Sequence, residues 1–133
     1  MGLDTTHNCW HGPYSSFCRW REEIAKLAGY AVWKVSYDDG MILPCIMLDW
    51  GHITDENLMG EWDYTPTDPL LFLFAHSDCE GVIHPKQAKL LYESLETLMI
   101  SKENIDLYTS EKTYNFIEGL KLAVKKNEDI EFH

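Results

Sequence analysis

Read for the spacing of its apolar positions, the chain breaks into stretches of helical period, stretches of strand character and one long polar-aromatic segment. Phe17, Trp20, Ile24, Leu27 and Ala28 recur three or four apart, which keeps them on one face of a helix. Gly12-Pro13 stands before them as a helix start, because proline at the first helical position loses no hydrogen bond and presets φ. Gly29 follows them where a left-handed cap belongs. Ala31 to Tyr37 predicts a short strand, its valines and aromatics suiting a pleated surface, with Asp38-Asp39-Gly40 as turn chemistry. Met41 to Leu48 is apolar, but Pro44 confines it to an edge strand or a packed loop. Leu70 to Ala75, a continuous apolar run entered from a proline, predicts a buried central strand. Pro85 opens a helix to about Ile100, with Ala88, Leu91, Leu95 and Leu98 on one face. A last helix is expected from a Ser110 cap through Tyr114, Ile117, Leu120 and Val124, and Ile130-Glu131-Phe132 as a short strand. The pattern predicts a single α+β domain over residues 1–133, a small sheet packed against about three helices.

Between these elements, residues 49–69 are rich in Gly, Pro, Asp and Thr, with Trp50, Trp62 and Tyr64 interspersed. Large rings on a loop must bury against something, and long loops inside compact domains are often functional. Thr54, followed by Asp55 and Glu56, predicts a short helix to about Gly60.

Composition narrows the class. At 133 residues and 45 % apolar, the chain has room for one core. No run is long enough to span a membrane, and no basic-then-apolar leader opens the sequence. Cys9, Cys18, Cys45 and Cys79 lie far apart with no CxxC pair, which predicts reduced thiols in a cytoplasm. The net charge of −11 is unevenly placed: residues 38–80 carry ten acidic side chains and no Lys or Arg. Such a surface repels nucleic-acid backbones. A small anionic ligand is compatible only with the N-terminal segment, where opposite charges cancel.

That segment holds the rarest chemistry. Asp4, Thr6, His7, Trp10, His11, Tyr14 and Arg19, joined by His76 and Asp78, are the candidate ligand-binding residues; no catalytic residue, metal or cofactor is assigned. Asp4, His7, Cys9 and His11 should lie on an ordered loop leading into the first helix, whose initial N–H groups favour anions. His7 and His11, four apart, would share a metal-binding face on a helix, but Gly12-Pro13 argues against a helix there. The alternative is that these histidines bond the loop backbone and hold the segment down. His76, Asp78, Glu80 and Gly81 echo a calcium loop, yet His76 replaces the first carboxylate and Gln87 the bidentate Glu. A side-chain-capped turn fits better, or an imidazole–carboxylate pair, His76 with Asp78, facing the N-terminal loop. Trp20 reads as core. Trp10, Trp50 and Trp62 read either as core or as rings that stack on a flat base. Arg19 and Arg21 point to different sides of the first helix, so at most one reaches the helix start.

The opening Gly2-Leu3-Asp4-Thr5-Thr6-His7, then Trp10-His11-Gly12, Tyr14-Ser15 and Phe17, resembles a family of small phage and prophage proteins. His76-Ser77-Asp78-Cys79-Glu80-Gly81 and the closing Glu131-Phe132-His133 fit the same family. The resemblance spans most of the chain. It implies a viral origin and work in a host cell's cytoplasm, and it carries over no catalytic residues. An acidic phage protein with a His-rich aromatic pocket suggests interference with bacterial defence, by one of three routes. It could sequester a nucleotide-derived immune signal, hydrolyse such a signal as a phosphodiesterase-like enzyme with His7, His11 or His76 as acid and base, or inhibit a host defence protein. The expected partner is accordingly a small nucleotide-type ligand or a host protein, with self-association open and neither nucleic acid nor membrane expected.

Overall fold

A computed structural model describes residues 2–29, 32–36, 42–46, 69–75 and 80–133. It is an α+β fold, and its elements run β1 (Gly2–Asp4), a 3₁₀ turn (Thr6–Asn8), β2 (His11–Pro13), α1 (Tyr14–Leu27), β3 (Val32–Ser36), β4 (Ile42–Ile46), α2 (Leu70–Ala75), β5 (Val82–Ile83), α3 (Pro85–Ser101), α4 (Leu107–Lys126) and β6 (Ile130–Glu131). The strands pair antiparallel as β1–β2, β3–β4 and β5–β6. No helix among the described residues is long and apolar enough to cross a membrane.

The helices answer to the apolar spacing. α1 buries Phe17, Trp20, Ile24 and Ala25, and Gly29 beyond it takes a left-handed φ of 91°. The helix begins at Tyr14, one residue after Pro13, which instead closes β2. α3 buries Ala88, Leu91, Leu95 and Leu98 as expected. α4 starts three residues ahead of the predicted Ser110 cap, because the Asp106 carboxylate accepts from the Thr109 backbone N–H at 3.0 Å. That bond supplies an acceptor to one of the otherwise orphaned first-turn donors.

The expected central strand over Leu70–Ala75 is a helix, α2. Its run contains leucines, phenylalanines and an alanine but no β-branched residue, and Leu70, Leu73 and Phe74 are buried at helical spacing. A six-residue apolar run cannot be assigned by period alone. Arg21 reaches from α1 to the end of this helix, donating to the carbonyls of Leu73 at 3.1 Å and Phe74 at 3.3 Å. A guanidinium is well placed there, where unpaired carbonyls concentrate negative charge. β3 and β4 fall within the predicted strands, with Pro44 opposite Lys34. Among the described residues β3 and β4 pair only with each other, so each is an edge and the missing proline N–H costs the ladder little. The predicted helix at Thr54–Gly60 and the rings of Trp50, Trp62 and Tyr64 lie outside the described residues.

The core is organised around an aromatic cluster. Trp10, Phe17, Trp20, Phe116 and Phe132 stand with ring centroids 4.8 to 6.5 Å apart, bringing together both ends of the chain, α1 and α4. The Trp20 indole donates to Thr113 Oγ1 at 2.9 Å, and that hydroxyl donates to the Thr109 carbonyl at 2.6 Å. The polar edge of the ring is thereby satisfied inside the core.

Candidate functional site

The first thirteen residues form a ribbon that joins the end of the chain. β1 and β2 pair Leu3 with Gly12 and Asp4 with His11. Thr5 closes the ribbon: its hydroxyl accepts from the Trp10 N–H at 2.9 Å, and its own N–H donates to the Trp10 carbonyl at 3.0 Å. On the other side, Asp4 and His133 exchange backbone hydrogen bonds, and Thr5 bridges Phe132. Phe132 N–H then reaches the Gly81 carbonyl, next to β5. One seam of strand pairing therefore runs from β2 through β1 and the chain's end to β5.

Pairing in this register sorts side chains by parity. Leu3, Thr5 and Phe132 point into the core, whereas Asp4, His11 and His133 are exposed. His11 Nδ1 lies 3.3 Å from Asp4 Oδ1 on the outer surface. Asp4 and His11 also border a recess of about 330 Å³ whose other walls are Gly2, Leu3, Gly12 and Pro13. Because Asp4 occupies Nδ1, the Nε2 side of this imidazole is left for a ligand.

His7 serves differently. Its backbone takes a left-handed φ of 62°, and its imidazole is only 11 % exposed. Thr6 Oγ1 lies 2.8 Å from His7 Nδ1, and His7 Nε2 lies 3.3 Å from Glu128 Oε1. The Thr6 hydroxyl oxygen accepts from the Glu131 N–H at 3.0 Å. A Thr6 hydroxyl donating to Nδ1 and an Nε2–H donating to Glu128 satisfies every partner. His7 and Thr6 thus clasp the N-terminal loop to the tail, with the imidazole held by the Thr6 and Glu128 side chains rather than by the loop backbone expected from the sequence.

Several expected site residues do not converge. Trp10 is 2 % exposed and belongs to the core, so its indole face is not offered to a base. Tyr14 packs half-buried against the core, and Arg19 is exposed on α1. Arg21 is committed to α2 and also lies 4.5 Å over the Phe17 ring, so it does not serve the helix start. Gln87, which stands at the bidentate-Glu position of the calcium-loop comparison, is buried in the first turn of α3, where its side-chain oxygen accepts from the His84 N–H at 2.9 Å. His76 and Asp78 lie outside the described residues. Among the described residues, no group of three His, Cys, Asp or Glu is placed to hold a metal ion.

Cys9 sits beneath this ribbon at 1 % exposure, and burial pushes its thiol up to about 12, against a smaller lowering by its hydrogen bond with Thr5. Neither Cys9 nor Cys18 forms a disulfide.

Sequence reasoning missed the tail and α4 as parts of the site. Glu128 gains its role only through a side-chain contact with His7, and His133 its place only through backbone pairing with Asp4. Gly119 carried a readable signal, since glycine in a helix interior costs roughly 1 kcal/mol against alanine and implies a packing reason. That reason is the 3₁₀ turn: a Cβ on Gly119 would fall 2.8 Å from the His7 carbonyl oxygen and 2.9 Å from Cys9 Cα.

Compared with protein families, curated proteins and solved structures, the chain matches none.

Proposed function

We propose that this chain is a small-molecule-binding protein that sequesters a phosphate-bearing, nucleotide-type ligand, and that it serves a phage by withdrawing a bacterial immune signal. The observation that carries the reading is the Asp4–His11 pair on the rim of the 330 Å³ recess, with the imidazole 87 % exposed. A recess of that size lies at the lower end of small-ligand sites, roughly 300–1,000 Å³. A carboxylate that orients one imidazole nitrogen fixes the other as a hydrogen-bonding group. The phage setting rests on the resemblance of the opening and closing motifs.

The test is titration calorimetry with a panel of linear and cyclic nucleotides, on wild type and His11→Ala, followed by mass analysis of the recovered ligand. Sequestration predicts a stoichiometric complex and intact ligand. Losing one hydrogen bond to a charged group, worth about 1.5–3 kcal/mol, should weaken binding some tenfold to a few hundredfold. Product in the recovered ligand would move the reading to a hydrolase; His11→Ala should then cut turnover about 10²- to 10⁴-fold while binding survives. Absence of binding by every nucleotide would end both.

A second reading, inhibition of a host protein, is favoured by the outer face of α4. Leu107, Tyr114 and Leu122 are 74 %, 47 % and 36 % exposed, and their spacing places them along one side of the helix. Exposed apolar patches mark protein contacts.

A further inference from the structure

We propose that the outer face of α4 docks a basic amphipathic helix of another protein, whose apolar side chains meet Leu107, Tyr114 and Leu122 and whose lysines or arginines meet Glu111 and Glu118.

The helix is apolar on two sides. Its inner side buries Phe116, Ile117, Leu120 and Ala123 in the core, as a surface helix of a folded domain does with one face. On the other side Leu107, Tyr114 and Leu122 are exposed, and their spacing returns them to one stripe. That stripe is about 22 Å long at a rise of 1.5 Å per residue. Single exposed apolar side chains are ordinary, whereas a continuous row of them marks a contact surface.

Glu111 and Glu118 fall on the same stripe between the apolar residues, and both are exposed. On a solvated helix a glutamate is commonly answered by a lysine three or four residues further on. Glu111 has Tyr114 and Asn115 at those positions, and Glu118 has Lys121 and Leu122. Lys121, whose charge Glu118 feels, is held by Glu96 at 2.9 Å. Glu111 and Glu118 thus form no ion pair among the described residues. Lys125 and Lys126, in the last turn, have a reason within the helix, since cations there complement its carbonyl end.

The glutamates decide what can cover the stripe. A second copy fits poorly: antiparallel pairing of two α4 helices sets Glu111 against Glu118, and parallel pairing sets each glutamate against itself. Like charges brought together in this way oppose association. The chain's own residues 38–80 are mismatched too, with ten acidic side chains and no Lys or Arg. A helix with one apolar face flanked by basic residues satisfies both the leucines and the carboxylates, in a recognised mode of helix docking. Such a helix deepens the host-protein reading, on which it rests, by naming the partner's chemistry.

The probe is a fluorescein-labelled peptide of roughly 18 residues, long enough to follow the stripe, with leucines on one helical face and lysines beside them. Two counterparts carry glutamine or glutamate in place of lysine. Fluorescence anisotropy should show saturable binding of the lysine peptide, with both counterparts at least about tenfold weaker. Glu111→Gln combined with Glu118→Gln should weaken the lysine peptide roughly tenfold, and Leu107→Ser combined with Tyr114→Ser at least as much. Glu93→Gln combined with Glu103→Gln removes the same charge from exposed positions elsewhere and should leave affinity within about twofold. A photoreactive phenylalanine in place of Tyr114 should cross-link to the lysine peptide. Equal weakening by the Glu93 and Glu103 changes would make the binding a diffuse response to net charge and overturn the proposal. So would a cross-link to a second copy, or to residues 38–80 of the same chain. If the glutamine or glutamate peptide binds as tightly and Tyr114→Ser weakens it, the basic chemistry falls while a protein partner on this face stands. If no peptide binds, the proposal falls and the host-protein reading loses this face.

Discussion

The two faces of the N-terminal ribbon are made from alternate residues of one short stretch, yet they do opposite things. Leu3 and Thr5 point inward at 1 % and 8 % exposure, followed by Cys9 and Trp10 at 1 % and 2 %. Asp4 and His11, paired across the strands, point outward with side chains 67 % and 87 % exposed. A strand repeats every two residues, so neighbouring positions in sequence belong to different environments. A segment dense in His, Asp and Trp therefore need not be one site. Here its tryptophan anchors the fold, and its outer imidazole and carboxylate pair with each other at the surface.

Substitutions should separate the faces. Trp10→Ala removes a ring that touches both Phe17 and Trp20. It should cost about 3–5 kcal/mol, a large share of the roughly 5–15 kcal/mol by which ordinary domains are stable. Thermal melting followed by circular dichroism reads the loss; a melting curve like that of the wild type would break the inner half of the comparison. Gly119→Ala drives a methyl group against the His7 and Cys9 backbone. Overpacking of that kind costs roughly 1–3 kcal/mol. A neutral result in urea denaturation would mean that the ribbon rides loosely on α4.

Cys9 gives a chemical measure of the same face. Its thiol is raised from 9.0 to about 12, chiefly by burial, so the folded state holds the proton that the unfolded chain releases. Stability from this group is therefore fully present below about pH 9 and is lost as pH rises from there toward 12. At neutral pH the buried thiol should resist alkylation until the protein unfolds, as a peptide map after iodoacetamide treatment would show. Fast labelling in the folded protein would place Cys9 at the surface instead. The smallest effect belongs to the outer face: His11→Ala breaks an exposed pair and should change stability by no more than about 1 kcal/mol. A larger loss would make His11 a structural residue and weaken the case for a ligand at the rim.

How much of this was legible beforehand follows from the range of the interactions involved. α1, α3, the edge character of β4 and the final strand were all written locally, in apolar period, in Pro44 and in flanking Gly and Pro. α2 was misread because its six residues are apolar on every side; only the Arg21 side chain, 52 positions from Leu73, marks its carboxyl end as helical. The candidate site divided along the same line. For Trp10 the sequence left core and ligand-stacking roles open. That the N-terminal segment would be ordered, and that Trp20 would bury, followed from composition and spacing. Which histidine would hold the loop and which would face outward did not. That choice depends on Glu128 and Glu131, which meet the segment through the fold alone. His76 and Asp78, the other half of the predicted constellation, fall outside the described residues.

The seam between the ribbon and the tail also bears on how the molecule comes apart. Thr6 and Glu131 are 125 positions apart in the chain. Joining such distant segments requires a large loop-closure entropy before any contact rewards it. The α3–α4 hairpin, by contrast, forms from neighbours. The seam is thus expected to assemble after the rate-limiting barrier and to open before the helices do. Weakening it at Thr6 or Glu128 should accelerate unfolding while leaving the refolding rate nearly unchanged, so the clasp that orders the N-terminal ribbon is also the latch that sets the lifetime of the folded state.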